Sequence, residues 1–231
     1  MESNSLCKWL HENLEDRPLI QYPFDLEDLP KSGIYFFYEK GEFWGHDDSK
    51  KPRIVRVGTH RKDNFRSRIS QHFLVNNPNI KLCLDDLAPK NRSIFRKNLG
   101  RAILSLKKSK YLSTWDIDFT SRNAKDNLSH LRDIDFESEI ENKISFLLKD
   151  NFSFKYIKVE SQKARIGSKG LESSLVGTLS HCQVCSSSPN WLGRYSPVKK
   201  IKESGLWQVQ HLNNEPISSS EKDFINNIKA Y

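Results

Sequence analysis

Two β-rich runs, each carrying a glycine near one end and followed by a stretch of helical period, constrain this chain more than any other feature. The first run is Gly33-Ile34-Tyr35-Phe36-Phe37-Tyr38-Glu39. The second is Arg53-Ile54-Val55-Arg56-Val57-Gly58-Thr59, and a polar segment holding Gly41 and Gly45 separates the two. β-branched and aromatic residues fit a pleated surface, so the pair predicts an antiparallel hairpin. From Asn64 the period changes. Phe65, Ile69 and Phe73 recur at i, i+4 and i+8, predicting a helix with one buried stripe, and Arg68 and His72 share the stripe beside it.

The rest of the chain supplies more helices than strands. Leu6, Trp9, Leu10 and Leu14 lie near helical spacing, so residues 1–29 are expected to form a helical cap. Ser93 is placed to N-cap a helix whose Phe95, Leu99, Ala102, Ile103 and Leu106 face inward, with Arg96, Lys97 and Arg101 turned toward solvent or a phosphate. Residues 109–135 lack a sustained period and read as an irregular excursion. Phe136, Ile140, Ile144, Leu147 and Leu148 mark the inner side of a strong helix, and 152–159 reads as a third strand. A helix opening near Ser168 carries Leu171, Leu175 and Leu179 inward and sets Glu172 beside that stripe. Residues 206–212 read as a short strand, and Ser218-x-x-Glu221 opens a last helix as a capping box, within a C-terminal helical segment 213–231. With 231 residues, 36% of them hydrophobic, the chain suits one core. The expectation is a single α/β (α+β) domain over 1–231, a small central antiparallel sheet flanked by helices, with an insertion at 77–135.

Charge is unevenly placed. The net charge is +8, yet residues 1–49 carry eleven Asp/Glu against four Lys/Arg, so the basic excess lies downstream. Residues 89–112 hold eight Lys/Arg and no acid, a pattern that attracts phosphate backbones or, more plainly, forms a solvated face. No apolar run approaches the roughly 18 residues that span a bilayer, so a soluble, cytoplasmic protein is expected. The four cysteines, Cys7, Cys83, Cys182 and Cys185, are expected to be reduced thiols. His181-Cys182-x-x-Cys185 offers part of a zinc site, but a structural zinc takes four ligands and no second Cys/His pair lies at a suitable spacing.

The ordered set Gly33-Ile34-Tyr35, Arg56-Val57-Gly58, Arg68 with His72, Glu172 and Asn190 resembles the GIY-YIG nuclease family, in which two strands bearing these tripeptides precede a helix with a catalytic arginine. An Arg-x-x-x-His pair on that helix is most similar to restriction-type members. The resemblance implies that Tyr35 and His72 prepare water, that Arg68 and Arg56 hold phosphate, that Glu172 binds Mg²⁺ or Mn²⁺, and that Asn190, before Trp191-Leu192-Gly193, completes the site. Arg56 stands where the family has a tyrosine, and the interval between the tripeptides is longer than usual. The implied activity is divalent-metal-dependent hydrolysis of double-stranded DNA. Arg92, Arg96, Lys97, Arg101, Lys107 and Lys108 of the insertion are the expected DNA contacts. Cutting both strands of a palindrome would need a homodimer or two successive binding events.

Other readings are an inactive DNA-binding protein of the same fold and a nuclease of repair or mobile-element processing. Glu141-Asn142-Lys143 matches the acid-x-Lys element of another nuclease class, but that element belongs on a strand, and the period puts Glu141 on the exposed face of a helix.

Overall fold

The computed structural model describes residues 2–77 and 79–228. A four-stranded antiparallel sheet has the order β1-β4-β2-β3, with β1 at Ile20–Gln21, β2 at Ile34–Phe43, β3 at Pro52–Gly58 and β4 at Phe152–Ile157. The expected hairpin is β2–β3, and the expected third strand is β4. Strand β1 was not foreseen, because two residues are too few to carry a period. It falls inside the segment expected to be a helical cap, whose helix α1 is confined to Glu2–Asn13.

Alternation along β2 places Ile34, Phe36 and Tyr38 on one face and Tyr35 and Phe37 on the other. Both faces are buried. Against the Tyr35 face pack α2 (Phe65–Phe73), α3 (Ile94–Leu106) and α6 (Ile134–Asn151), through Phe65, Ile69, Phe73, Phe95, Leu99, Ile140, Ile144 and Leu148. Against the other face pack Cys7, Leu10 and Leu14 of the N-terminal segment, with Leu171, Leu175, Val176 and Leu179 of α8 (Leu171–Ser180). The result is a helix, sheet, helix sandwich, which explains why the central strand β2 reads as an almost unbroken apolar run. The last helix, Ser219–Asn226, opens on the expected reciprocal cap between Ser218 and Glu221.

Residues 206–212 do not form a strand. The Trp207 backbone N–H donates to Val55 O at 2.8 Å, but the Gln208 N–H then folds back onto Leu206 O, and the Gln208 side chain, not its backbone, donates to Val57 O at 3.0 Å. On the same edge, the Ile54 N–H donates to His11 Nε2 at 3.1 Å. Side chains thus cover the open edge of β3, which would otherwise offer unpaired groups to another chain.

The excursion at 109–135 contains α4 (Leu112–Asp116) and α5 (Arg122–Leu128), too short to show a period. Trp115 of α4 lies on α3 over Gly100, where a Cβ would come within 2.3 Å of the indole. The outer side of α6 also differs from expectation. Glu137 and Glu141 are fully buried, because the loop before α3 and α3 itself send cations inward to meet them: Lys90 lies 3.2 Å from Glu137, and Arg96 lies 2.7 Å from Glu141. Glu141 is therefore a buried counterion, neither solvent-facing nor on a strand. Leu106, expected inward, is exposed at the end of α3.

Candidate active site

Tyr35 is the second residue of β2 and stands directly opposite Gly58, the last residue of β3. That pairing gives Gly58 a physical reason. The phenol lies across it, and a Cβ at position 58 would fall 2.4 Å from the Tyr35 hydroxyl. Gly33 has a comparable reason, since a Cβ there would fall 2.6 Å from Ile157 O on the neighbouring strand. Neither glycine belongs to a phosphate-cradling loop.

Behind the phenol runs a chain of polar groups. Tyr35 Oη lies 3.0 Å from His72 Nε2, and His72 Nδ1 lies 2.8 Å from Ser93 Oγ, the N-cap of α3. His72 is completely buried, and burial, reinforced by the cations Arg68, Arg56 and Arg96, drives its pKa well below the usual imidazole value. The ring is therefore neutral at pH 7. With its proton on Nδ1, facing Ser93, its Nε2 accepts from the phenol.

Arg56 reaches the same region because the register of β2 and β3 shifts, leaving Val55 as an extra residue between the pairs Phe37 to Arg56 and Tyr38 to Ile54. Its guanidinium lies 5.0 Å from the centre of the Phe95 ring and donates to Trp207 O and, at 3.1 Å, to Gln208 Oε1. Burial lowers its pKa, while Tyr35 and Glu172 pull the other way. Arginine nevertheless stays protonated, so fixed positive charge stands near both the phenol and the carboxylate.

These groups border an open cleft of about 490 Å³ lined by Thr59, Arg68, Gln71, Glu172, Gln210 and His211, among others. Tyr35 and His72 are buried next to it, each adjoining a lining residue: Tyr35 lies over Gly58, beside Thr59, and His72 follows Gln71. Arg68 enters from α2, its Nη1 donating to Arg92 O at 2.8 Å and to Gln71 Oε1 at 3.2 Å. Glu172 enters from the first turn of α8, after Gly170, where a Cβ would strike the Ile166 carbonyl at 2.6 Å. Burial raises the Glu172 pKa, opposed by Arg56, His211, the Thr59 backbone N–H and Arg68. A half-buried carboxylate at the wall of a polar cleft, destabilised as an anion, suits a cation that keeps several waters. The cleft rim is braced from beneath by Arg165, which is fully buried and donates to Thr59 Oγ1 at 3.0 Å and His60 O at 2.8 Å. His60, in turn, accepts the Gly33 N–H at 3.1 Å and is a packing residue.

A family model described as GIY-YIG domain matches residues 4–230. The chain belongs to the GIY-YIG domain family. No curated protein and no solved structure matches it. The GIY-YIG domain is a nuclease domain, in general dependent on a divalent metal and acting on DNA. Among the described residues, no helix is long and apolar enough to cross a membrane.

Within the GIY-YIG frame, Tyr35, Arg56, Arg68, His72 and Glu172 converge although they come from two strands and two helices. Asn190 does not join them. It is exposed and outside the cleft lining, because Trp191 anchors its loop elsewhere: the Trp191 and Trp207 indole N–H groups both donate to Glu39 Oε2 at 2.8 Å. Gln210 and His211, later in the chain, do line the cleft. His211, at φ +63, had no signal in the sequence beyond being one histidine in a polar run.

The expected DNA contacts divide. Arg96 is fully buried in its pair with Glu141 and also donates to His72 O at 2.9 Å, so it supports the site from within and is withdrawn as a phosphate contact. Lys97 donates to Asp116 O and Arg101 to Asp116 Oδ1, which partly occupies both. Arg92, Lys107 and Lys108 are exposed, and of these Arg92 adjoins the cleft through Arg68. Arg61, on the turn after β3, is exposed on the cleft lining itself.

Proposed function

We propose that this chain is a restriction-type endonuclease that hydrolyses phosphodiester bonds of double-stranded DNA with Mg²⁺ or Mn²⁺. The observation that carries the reading is the meeting of Arg68 and Glu172 on one cleft with the Tyr35, His72 and Ser93 chain beside it. Arg68 holds the scissile phosphate through its planar, permanently charged fork. Water attacks phosphorus and yields its proton to the Tyr35 oxygen as the phenol proton moves to neutral His72 Nε2. The bond to the departing oxygen breaks, and that oxygen takes a proton from solvent in the cleft. Arg56 keeps a fixed positive charge beside the phenol and the carboxylate throughout the step. Glu172 would hold the divalent ion, which supplies positive charge to the phosphate and its departing oxygen. A protein that retained the fold and lost turnover is the second reading, favoured by the engagement of Arg56 with Trp207 and Gln208 in the position where the family has a tyrosine.

Plasmid DNA incubated with the protein and Mg²⁺ or Mn²⁺, against the same protein without added metal, tests the proposal. Discrete fragments that require the metal and vanish with Glu172→Ala are expected. Retention of DNA without cleavage under either metal would establish the binder instead.

A further inference from the structure

The four cysteines are free thiols, and three of them meet two histidines at a place remote from the cleft. Cys7 comes from α1, His46 from the turn between β2 and β3, and Cys182 and Cys185 from the turn after α8. One ligand atom each from Cys7, His11, His46 and Cys185 lies within 4.8 Å of the others. Cys182 adds a fifth, its Sγ 3.9 Å from His46 Nε2.

His11 is committed elsewhere. Its Nε2 accepts the Ile54 N–H at 3.1 Å, which puts the ring proton on Nδ1, and Nδ1 then donates to Cys7 O at 2.9 Å. Both ring nitrogens are used, so His11 acts beside the cluster, its Nδ1 3.7 Å from Cys7 Sγ. Three sulfurs and one imidazole remain.

We propose that Cys7, His46, Cys182 and Cys185 form a structural zinc site that ties α1, the β2–β3 turn and the Cys182-x-x-Cys185 turn into one unit. Two of the ligand-to-ligand distances match the edges of a zinc tetrahedron. Zinc bonds of about 2.3 Å to sulfur and 2.0–2.1 Å to nitrogen require edges of about 3.8 Å between sulfurs and about 3.6 Å between sulfur and nitrogen. Cys7 and Cys185 sulfurs stand 3.8 Å apart, and Cys182 Sγ stands 3.9 Å from His46 Nε2.

The surrounding backbone is arranged for thiolates. The backbone N–H groups of Val184 and Cys185 lie near Cys182 Sγ, and that of Gly45 lies near Cys185 Sγ. Such outer contacts orient ligands and stabilise their charge. Gly45 also permits the approach of the two turns, since a Cβ there would fall 1.9 Å from Val184 O. The Gln183 N–H donates to Asn4 Oδ1 at 2.9 Å, joining the cysteine turn to α1 a second time. Trp44 covers the cluster, its ring centre 5.3 Å from that of His46 and 5.8 Å from that of His11.

Soft thiolate and imidazole ligands select zinc over the hard, oxygen-seeking ion expected at Glu172. A site with four protein ligands leaves no open position and serves structure. Local spacing shows no partner for Cys182-x-x-Cys185, because the other two ligands are single residues far up the chain. His181, which completes the apparent motif, is exposed and contributes nothing to the cluster.

Protein purified without chelator, from cells supplied with zinc, should contain about one zinc per chain by elemental analysis. Cobalt loaded in its place should give the intense visible bands of tetrahedral thiolate coordination. Of the four thiols, only exposed Cys83 should react rapidly with a thiol reagent, and all four should react after denaturation with chelator. Cys182→Ser and His46→Ala should each weaken zinc retention by more than about tenfold, since loss of outer-shell partners alone costs about 10–100-fold, whereas Cys83→Ser should not. Zinc-free protein with four rapidly reactive thiols would overturn the proposal, as would pale octahedral cobalt or a pair of thiols that stays unreactive after denaturation, the sign of a disulfide. These readouts use the full chain and do not involve cleavage, so a failed zinc site and a failed nuclease reading are distinguishable.

Discussion

Glu172 is where stability and chemistry oppose one another. Burial raises its pKa against the pull of Arg56, His211 and Arg68. A carboxyl whose folded pKa is raised contributes stability below its unfolded pKa and loses that contribution as pH rises through the folded value. At neutral pH the ionised side chain is therefore a cost. Glu172→Gln should stabilise the metal-free protein by about 1 kcal/mol at pH 8, the size of an ordinary single substitution, while abolishing metal-dependent cleavage. Denaturant melts with and without Mg²⁺ check this: the advantage should disappear below the ordinary carboxylate range, and added Mg²⁺ should favour the wild type. Tyr35, Arg68, His72 and Glu172 were legible as residues because their order along the chain carries the pattern. His211 was not, since a single histidine in a polar run meets the Glu172 carboxylate only once α8 is packed beside it. Asn190 matched the pattern in sequence yet lies outside the cleft, because its neighbour Trp191 binds Glu39.

At the scale of elements, helical periods located α2, α3, α6 and α8, and, Leu106 apart, the apolar stripes they predicted are the stripes that pack. The error concerned charge. Arg96 of α3 and Glu141 of α6 each read as solvent-facing, and each is buried against the other, with Arg96 making further hydrogen bonds to His72 O and Ser145 Oγ. A period assigns a residue to a face; whether another helix covers that face depends on long-range packing. Removing one member of a buried pair strands the other charge, at about 3–5 kcal/mol. Arg96→Met should therefore destabilise the fold by that order, measured by denaturant unfolding. Arg96→Met combined with Glu141→Leu should recover most of the loss, a non-additivity that an independent pair of surface substitutions would not give.

Across the whole molecule, the basic segment 89–112 is divided among three fates: Lys90 and Arg96 enter the interior, Lys97 and Arg101 engage Asp116, and Arg92, Lys107, Lys108 and Lys110 stay exposed. Arg92 precedes α3 and adjoins the cleft, whereas Lys107 and Lys108 follow its far end, about 20 Å along the helix at 1.5 Å per residue. Arg92→Ala should weaken DNA binding and reduce the slope of affinity against salt by about one, as for loss of one phosphate contact. Lys107→Ala with Lys108→Ala should leave that slope nearly unchanged, and a salt titration of DNA affinity distinguishes the two. What the sequence by itself determined was local: the hairpin, the periods of the helices, the caps at Ser93 and Ser218, and the ordered residues that mark the family, because each depends on neighbours within a few turns or one loop. Tertiary structure alone decided which charges are buried, that Gln210 and His211 line the cleft while Asn190 does not, and that Cys7 and His46 meet Cys182 and Cys185, because each of these follows from packing between segments far apart in the chain, which no local pattern encodes.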